Sequence, residues 1–178
     1  MDRIDLHTHS TASDGSMTPA ELVRHAKASG LRAMALSDHD TVDGVDEAMA
    51  AGRESGIEVI PAIELSAVSA TETHILGYFI DPHAPSLTSA LDRIRAIRVE
   101  RLTETCGMLR DHGIDVSIDE VHAIAGGGVL CRAHIARIMT DKGYAASPRD
   151  AFNRWLNVGC PCYSETQAIT DEEAISLI

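Results

Sequence analysis

The chain has 178 residues, with 15 Lys and Arg against 27 Asp and Glu, a formal charge of −12. That is length for one medium domain with a sizeable core, and a hydrophobic content of 44% is not a disordered composition. The acid excess argues against binding of extended duplex, which needs a basic face, and 3% aromatic residues argue against a stacking platform for single strands.

The start, Met1-Asp2-Arg3-Ile4-Asp5, has no basic region followed by a long apolar stretch, so no signal peptide is expected. No apolar run reaches the roughly 18 residues of a membrane span. A cytoplasmic location is the expectation. Ile4-Asp5-Leu6 opens a first strand. Thr18-Pro19-Ala20-Glu21 opens a helix, with Thr18 as cap, Pro19 at the first helical position and Glu21 closing a capping box. It stops at Gly30. Residues 31–36 form a second, buried strand, 43–54 a second helix, 57–63 a third strand and 74–80 a fourth. Strand, helix, strand, helix, strand makes the first three strands parallel. Ten positions from Glu64 to His74 leave no room for a crossover helix, so strands three and four form an antiparallel hairpin.

From residue 85 the pattern turns helical: 86–112, 117–125, 133–141 and 148–156, then a helix capped by Thr170 from Asp171 on. The fold class is α/β. The expected organisation is 1–84 as one part, 85–168 as an all-helical insertion, and 169–178 as a helix returning to the first part. Cys106, Cys131, Cys160 and Cys162 make no small secreted disulfide pattern. Cys160-Pro161-Cys162 has the form of half a zinc site, but no second Cys/His pair has matching spacing. Buried or incidental thiols are the better reading.

Strand one ends in His7-Thr8-His9, with Asp14 shortly after; strand two ends in Asp38-His39-Asp40; strand three ends in Glu64; strand four starts with His74. Positions i and i+2 of a strand face the same way, so His7 and His9 can address one ion. The carboxyl ends of parallel strands share one rim, and the hairpin brings His74 to it. Four histidines and two carboxylates therefore converge: His7, His9, His39, His74, Asp14 and Glu64. Imidazole with carboxylate suits Mn²⁺, Zn²⁺ or Fe²⁺. Six ligands exceed the need of one ion, so two or three metals bridged by a carboxylate such as Glu64 are expected. Asp38 and Asp40 flank His39 and are candidates for orienting the imidazoles, with turn or helix-cap roles as the alternative.

The segments Asp5-Leu6-His7-Thr8-His9-Ser10, Ser13-Asp14-Gly15, Ser37-Asp38-His39-Asp40-Thr41, Ile63-Glu64-Leu65-Ser66 and His74-Ile75-Leu76-Gly77 resemble, in order and spacing, the polymerase and histidinol phosphatase (PHP) superfamily. The resemblance implies a distorted (β/α)7 barrel, here partial, with usually three metals, Mn²⁺ foremost, and hydrolysis of phosphate esters. Cys131-Arg132-Ala133-His134-Ile135-Ala136-Arg137 and Phe152-Asn153-Arg154-Trp155-Leu156, with Gly159 and Tyr163, resemble the branch of nucleoside 3′,5′-bisphosphate phosphatases and 5′–3′ exoribonucleases. It implies a small nucleotide or short RNA as substrate and a helical insertion acting as a lid. It also implies that His134 contacts substrate, a helix-cap role being the alternative. Arg132 and Arg137 are candidate phosphate partners because guanidinium forks suit phosphate. Arg98 and Arg101 match paired arginines of the branch, against a solvated helix face.

Cys162-Tyr163-Ser164-Glu165 departs from the family's pattern there. A His-Pro and a Ser-Asp-x-His motif, which the family carries further on, are not in these residues, so a partial sequence with little turnover of its own is the expectation. The rival readings are a histidinol-phosphate phosphatase, an amidohydrolase with a ligating lysine at a strand end, and a non-catalytic metal-binding module. His25, His83, His112 and His122 match no motif.

Overall fold

The structure is a computed structural model that describes residues 3–68, 72–164 and 169–178. The start at Met1-Asp2, residue Glu165 and the 168/169 boundary lie outside the described residues. β1 (Arg3–Thr8), β2 (Leu31–Leu36) and β3 (Glu58–Val68) run parallel, and β4 (Glu72–Tyr78) returns antiparallel on β3. The order is β1-β2-β3-β4. Tyr78 on β4 donates its hydroxyl to the Leu6 carbonyl on β1 at 3.0 Å, although these strands stand at opposite ends of that order. The sheet therefore curls into half of a barrel.

α1 (Pro19–Ala28) begins as the sequence dictates. Thr18 Oγ1 accepts from the Glu21 backbone, and Glu21 reaches back to the Thr18 N–H at 2.9 Å. α2 (Val45–Ser55) starts two residues later than expected because the chain makes a turn first, the Val45 N–H donating to the Val42 carbonyl. Val23, Ala26, Met34, Leu36, Ala48 and Ala51 bury these two helices against the sheet. The third strand does not end before Glu64. Its pairing with β4 continues from Ala62↔Tyr78 to Val68↔Glu72, so Glu64 lies inside a strand and His74 sits opposite Ser66.

α3 (Pro85–Asp111) is a spine of 27 residues. Its first half, with Leu87, Leu91 and Ile94, packs into the core beside β3 and β4. Its second half, with Leu102, Cys106 and Leu109, packs into a separate core with α4 (Ile118–Ala125) and α5 (Arg132–Asp141). The expected helix over 148–156 is shorter: α6 (Pro148–Ala151) runs into one π-helical turn, Phe152–Leu156. α7 (Asp171–Leu177) returns to β3 and β4, where the Val68 N–H donates to the Ile169 carbonyl and Ile178 lies on Gly77. Among the described residues no helix is long and apolar enough to cross a membrane.

Candidate metal centre and its cleft

At the end of β1 the chain leaves the sheet and folds back on itself. The Ser13 and Gly15 N–H groups both donate to the Ser10 carbonyl. Asp38, 2% exposed, holds this loop: one carboxylate oxygen accepts from the Ser10 N–H (2.7 Å) and Ser13 Oγ (2.5 Å), the other from Ser10 Oγ (2.6 Å). Asp38 thus bonds no imidazole itself. It acts through Ser13, whose hydroxyl lies 3.5 Å from His9 Nδ1.

The six predicted side chains meet. Glu64 Oε2 is 2.9 Å from His7 Nε2, 3.1 Å from His9 Nε2 and 3.4 Å from His39 Nδ1, and Glu64 Oε1 is 2.6 Å from His74 Nδ1. Asp14 stands on the other side of the cluster, 3.5 Å from His9 Nδ1 and 3.8 Å from His39 Nε2. Ligand-sized groups form three sets: His7-His9-Glu64, His9-Asp14-His39 and His39-Glu64-His74. Each pair of sets shares one residue, so the sets close a triangle with His9, His39 and Glu64 at its shared corners.

The electrostatics favour ligation at Glu64 and His39. Burial alone would raise the Glu64 pKa, but hydrogen bonds from His74, His9 and His7 hold it well below the usual carboxylate range. Burial pushes His39 down to about 4 against the pull of Asp14 and Glu64, so the ring is neutral and its lone pair available. Burial also lowers His9, but the Glu64 hydrogen bond and the Asp14 charge win and raise it overall. His39 Nδ1 is buried and, despite its 3.4 Å approach to Glu64, makes no hydrogen bond. A buried nitrogen without a hydrogen-bond partner beside a carboxylate suits metal ligation, and the residues fit divalent metal ions.

A cleft of about 150 Å³ opens in front of the cluster, lined on one side by Asp14, His39 and His74 and on the other by Arg101, Arg132 and Phe152. The Arg101 and Arg132 guanidinium groups lie 5.1 and 5.6 Å from the Tyr163 ring centroid, and Arg132 is 5.8 Å from that of Phe152. Stacking on aromatic faces holds both groups in place. Arg98 lines the same cleft and is bound to protein groups, and Arg132 Nη1 donates to the Leu156 carbonyl at 3.2 Å. Asp40, a candidate for orienting the imidazoles or for a turn or cap role, accepts from Arg98 and from the Ser66 N–H.

His134 and Arg137 are not in this cleft. They line a second groove of about 220 Å³ with Thr11, Ser13 and Asp14. His134 is 7% exposed, and its Nδ1 accepts from the Cys131 N–H at 3.1 Å, which caps α5. It also hydrogen-bonds the Ser13 backbone, tying α5 to the loop after β1.

Two glycines carry a weight that the sequence reading did not give them. A Cβ on Gly15 would stand 2.3 Å from the His9 carbonyl oxygen, and one on Gly128 would stand 2.4 Å from that of Thr11. Gly15 directly follows Asp14 in the Ser13-Asp14-Gly15 segment, and that placement is the signal that marks it in the sequence.

The cysteines fit the bland reading. Cys106 and Cys131 are buried, which pushes their thiols up to about 11 and about 12. Burial raises Cys162 as well, while Cys160 is partly exposed. Native protein treated with iodoacetamide near pH 8 should therefore be alkylated first at Cys160. Peptide mass spectrometry that finds Cys131 modified as fast as Cys160 would contradict this packing.

The chain matches the PHP domain family over residues 5–158 and belongs to it. It is 38% identical over 177 residues to a 5′–3′ exoribonuclease of Haemophilus influenzae, covering 99% of this chain and 64% of that protein. It is 36% identical over 180 residues to a 3′,5′-nucleoside bisphosphate phosphatase of Chromobacterium violaceum, covering 100% and 63%. A solved Chromobacterium violaceum structure described as an amidohydrolase, with sulfate bound and no metal, superposes with a TM-score of 0.93 at 35% identity, covering 98% of this chain and 62% of that one. The chain thus spans less than two thirds of the length of these relatives.

Proposed function

We propose that this chain forms the metal-binding part of a phosphoesterase that hydrolyses a phosphate monoester of a small nucleotide, such as a nucleoside 3′,5′-bisphosphate, or of a short oligoribonucleotide. The observation that carries this reading is the closed triangle of three ligand sets facing a cleft whose far wall holds two stacked arginines. His7, His9, Asp14, His39, Glu64 and His74 would hold two or three divalent ions, with Mn²⁺ favoured by the mix of imidazole and carboxylate and Zn²⁺ or Fe²⁺ next. Such ions supply Lewis acidity toward the phosphate and a water that ionises near neutral pH. Arg101 and Arg132 would take a second phosphate, since planar forks recognise phosphate oxygens. Asp38 and His134 would hold the loop that carries Asp14. The helical region from residue 85 would serve as a lid over the part formed by 1–84.

The names of the two relatives support a nucleotide or RNA substrate. A histidinol-phosphate substrate would use the same metal set, but it has one phosphate and a cationic remainder, a poor match for two arginines. An amidohydrolase with a ligating lysine is not favoured. The two lysines, Lys27 and Lys142, donate to the Gly56 and Asp115 carbonyls, away from the cleft. The test is metal content by elemental analysis after loading with Mn²⁺, followed by binding and phosphate release with adenosine 3′,5′-bisphosphate and histidinol phosphate. About two to three Mn²⁺ per chain are expected. The bisphosphate should bind roughly tenfold tighter or more, because one added charge-assisted contact contributes about 1.5–3 kcal/mol. Less than one metal per chain, or a preference for histidinol phosphate, would sink this reading.

A further inference from the structure

Arg98 stands three residues before Arg101 on α3. The Arg98 side chain is 15% exposed. Its Nε donates to Asp40 Oδ2 at 2.6 Å, and Nη2 reaches the same oxygen at 2.5 Å and Ser66 Oγ at 2.8 Å. Its Nη1 reaches the Leu130 carbonyl at 3.0 Å and Cys131 Sγ at 3.6 Å. A guanidinium has five N–H bonds; four hydrogen bonds and the Nη2 ion pair with Asp40 engage all three of its nitrogens.

The partners come from separate parts of the chain, and of them Ser66 and Cys131 line the cleft. Asp40 is fully buried and follows His39 directly. Its other oxygen accepts from the Ser66 N–H at 2.8 Å, and its own N–H donates to the Glu64 carbonyl at 3.0 Å. It holds φ +49°, a left-handed conformation that a non-glycine residue keeps only where its surroundings impose it. Ser66 lies two residues past Glu64. Leu130 and Cys131 lead into Arg132, and Arg101 is one helical turn along α3. One guanidinium therefore joins the backbone that carries His39 and Glu64 to the backbone that carries Arg101 and Arg132.

We propose that Arg98 is a positioning residue that sets the separation between the metal ligands and the Arg101–Arg132 wall, and so selects substrates with a second anionic group at a fixed distance from the phosphate that is cleaved. This rests on the phosphoesterase reading above. Lysine keeps the charge that Asp40 needs, whereas a neutral residue would leave a buried carboxylate without a partner. A lysine ammonium cannot span Asp40, Ser66 and Leu130 as a planar fork does.

The test uses the full chain loaded with Mn²⁺, as parent, Arg98→Lys, Asp40→Asn and the double variant. Folding is checked by circular dichroism, Mn²⁺ occupancy by electron paramagnetic resonance, and affinities for inorganic phosphate and adenosine 3′,5′-bisphosphate by calorimetry. Arg98→Lys should keep Mn²⁺ and inorganic phosphate affinity within about twofold and weaken bisphosphate binding roughly tenfold or more. Asp40 is fully buried and out of reach of a ligand, so the same selective loss in Asp40→Asn marks positioning. The double variant should lose no more than the worse single one. Ser66→Ala, a milder change that removes one arm of the fork, should move in the same direction by less.

Equal weakening of phosphate and bisphosphate in Arg98→Lys, with Asp40→Asn silent, would make Arg98 a direct ligand and overturn the proposal. Loss of Mn²⁺ from Arg98→Lys would overturn it by placing Arg98 in the metal site. A parent chain that itself binds the bisphosphate no better than phosphate would remove the underlying reading, an outcome visible before any variant is made.

Discussion

Replacing Glu64 with alanine should remove most of the thermal stabilisation that Mn²⁺ gives the parent chain. A ligand that binds only the folded state stabilises it by about 2.7 kcal/mol at a hundred times its dissociation constant. For a chain of this size each kcal/mol moves the melting temperature by about 2–4 °C, so the parent should gain roughly 5–10 °C. Glu64 belongs to two of the three ligand sets and is the carboxylate nearest four imidazoles. Its loss leaves intact only the set of His9, Asp14 and His39. The metal-free variant should also melt lower than the parent, because His74 and His7 lose a charge-assisted partner, each bond contributing about 1.5–3 kcal/mol at most. His83→Ala is the matched control. Its side chain is 72% exposed and faces Asp46, far from any ligand set. A Glu64→Ala protein that still gains the parent's full Mn²⁺ shift would remove Glu64 from the metal centre.

What the sequence made legible here is what short-range geometry dictates. The i, i+2 pair His7 and His9, the parallel strand order and the tight β3–β4 connection are consequences of strand pleat and loop length, and they bring six distant residues to one rim. Glu64 shows where that reasoning stops. The sequence places it at the end of its strand, but β3 runs on to Val68 because the hairpin continues to pair. Its position at the rim comes instead from β2, which pairs with β3 only as far as Leu36↔Pro61 before His39 bridges to Glu64.

The arginines show the other limit. Arg98 and Arg101 look alike at i, i+3, and the partners that fix Arg98, namely Asp40, Ser66 and Leu130, come from three different parts of the chain. His134 has the sequence context of a substrate contact or of a helix cap; its Nδ1 caps α5, and its ring also lines the groove beside Asp14. Helix caps are local and can be proposed from sequence, whereas the direction a buried side chain takes among competing partners depends on long-range packing.

Gly15→Ala should cost both stability and part of the metal site, although Gly15 ligates nothing. The added methyl would stand 2.3 Å from the His9 carbonyl oxygen, 2.6 Å from the His9 carbonyl carbon and 2.8 Å from the Ser10 carbonyl carbon. These are backbone atoms in a loop already drawn tight by two bonds to the Ser10 carbonyl, so no side chain can swing aside. The loop must open, and Asp14, next to Gly15, moves away from His9 and His39. Overpacking of this kind costs about 1–3 kcal/mol, a fall of roughly 2–12 °C in melting temperature. The variant should bind fewer Mn²⁺, losing the set that contains Asp14 while His39-Glu64-His74 remains. Gly107→Ala separates this from any general effect of filling a glycine. It lies on α3 with nothing within 4 Å of its new methyl, and helix propensity alone should make it neutral or stabilising by up to about 1 kcal/mol. If Gly15→Ala melts with the parent and binds as much Mn²⁺, the close approach of Gly15 to His9 does not hold the metal loop.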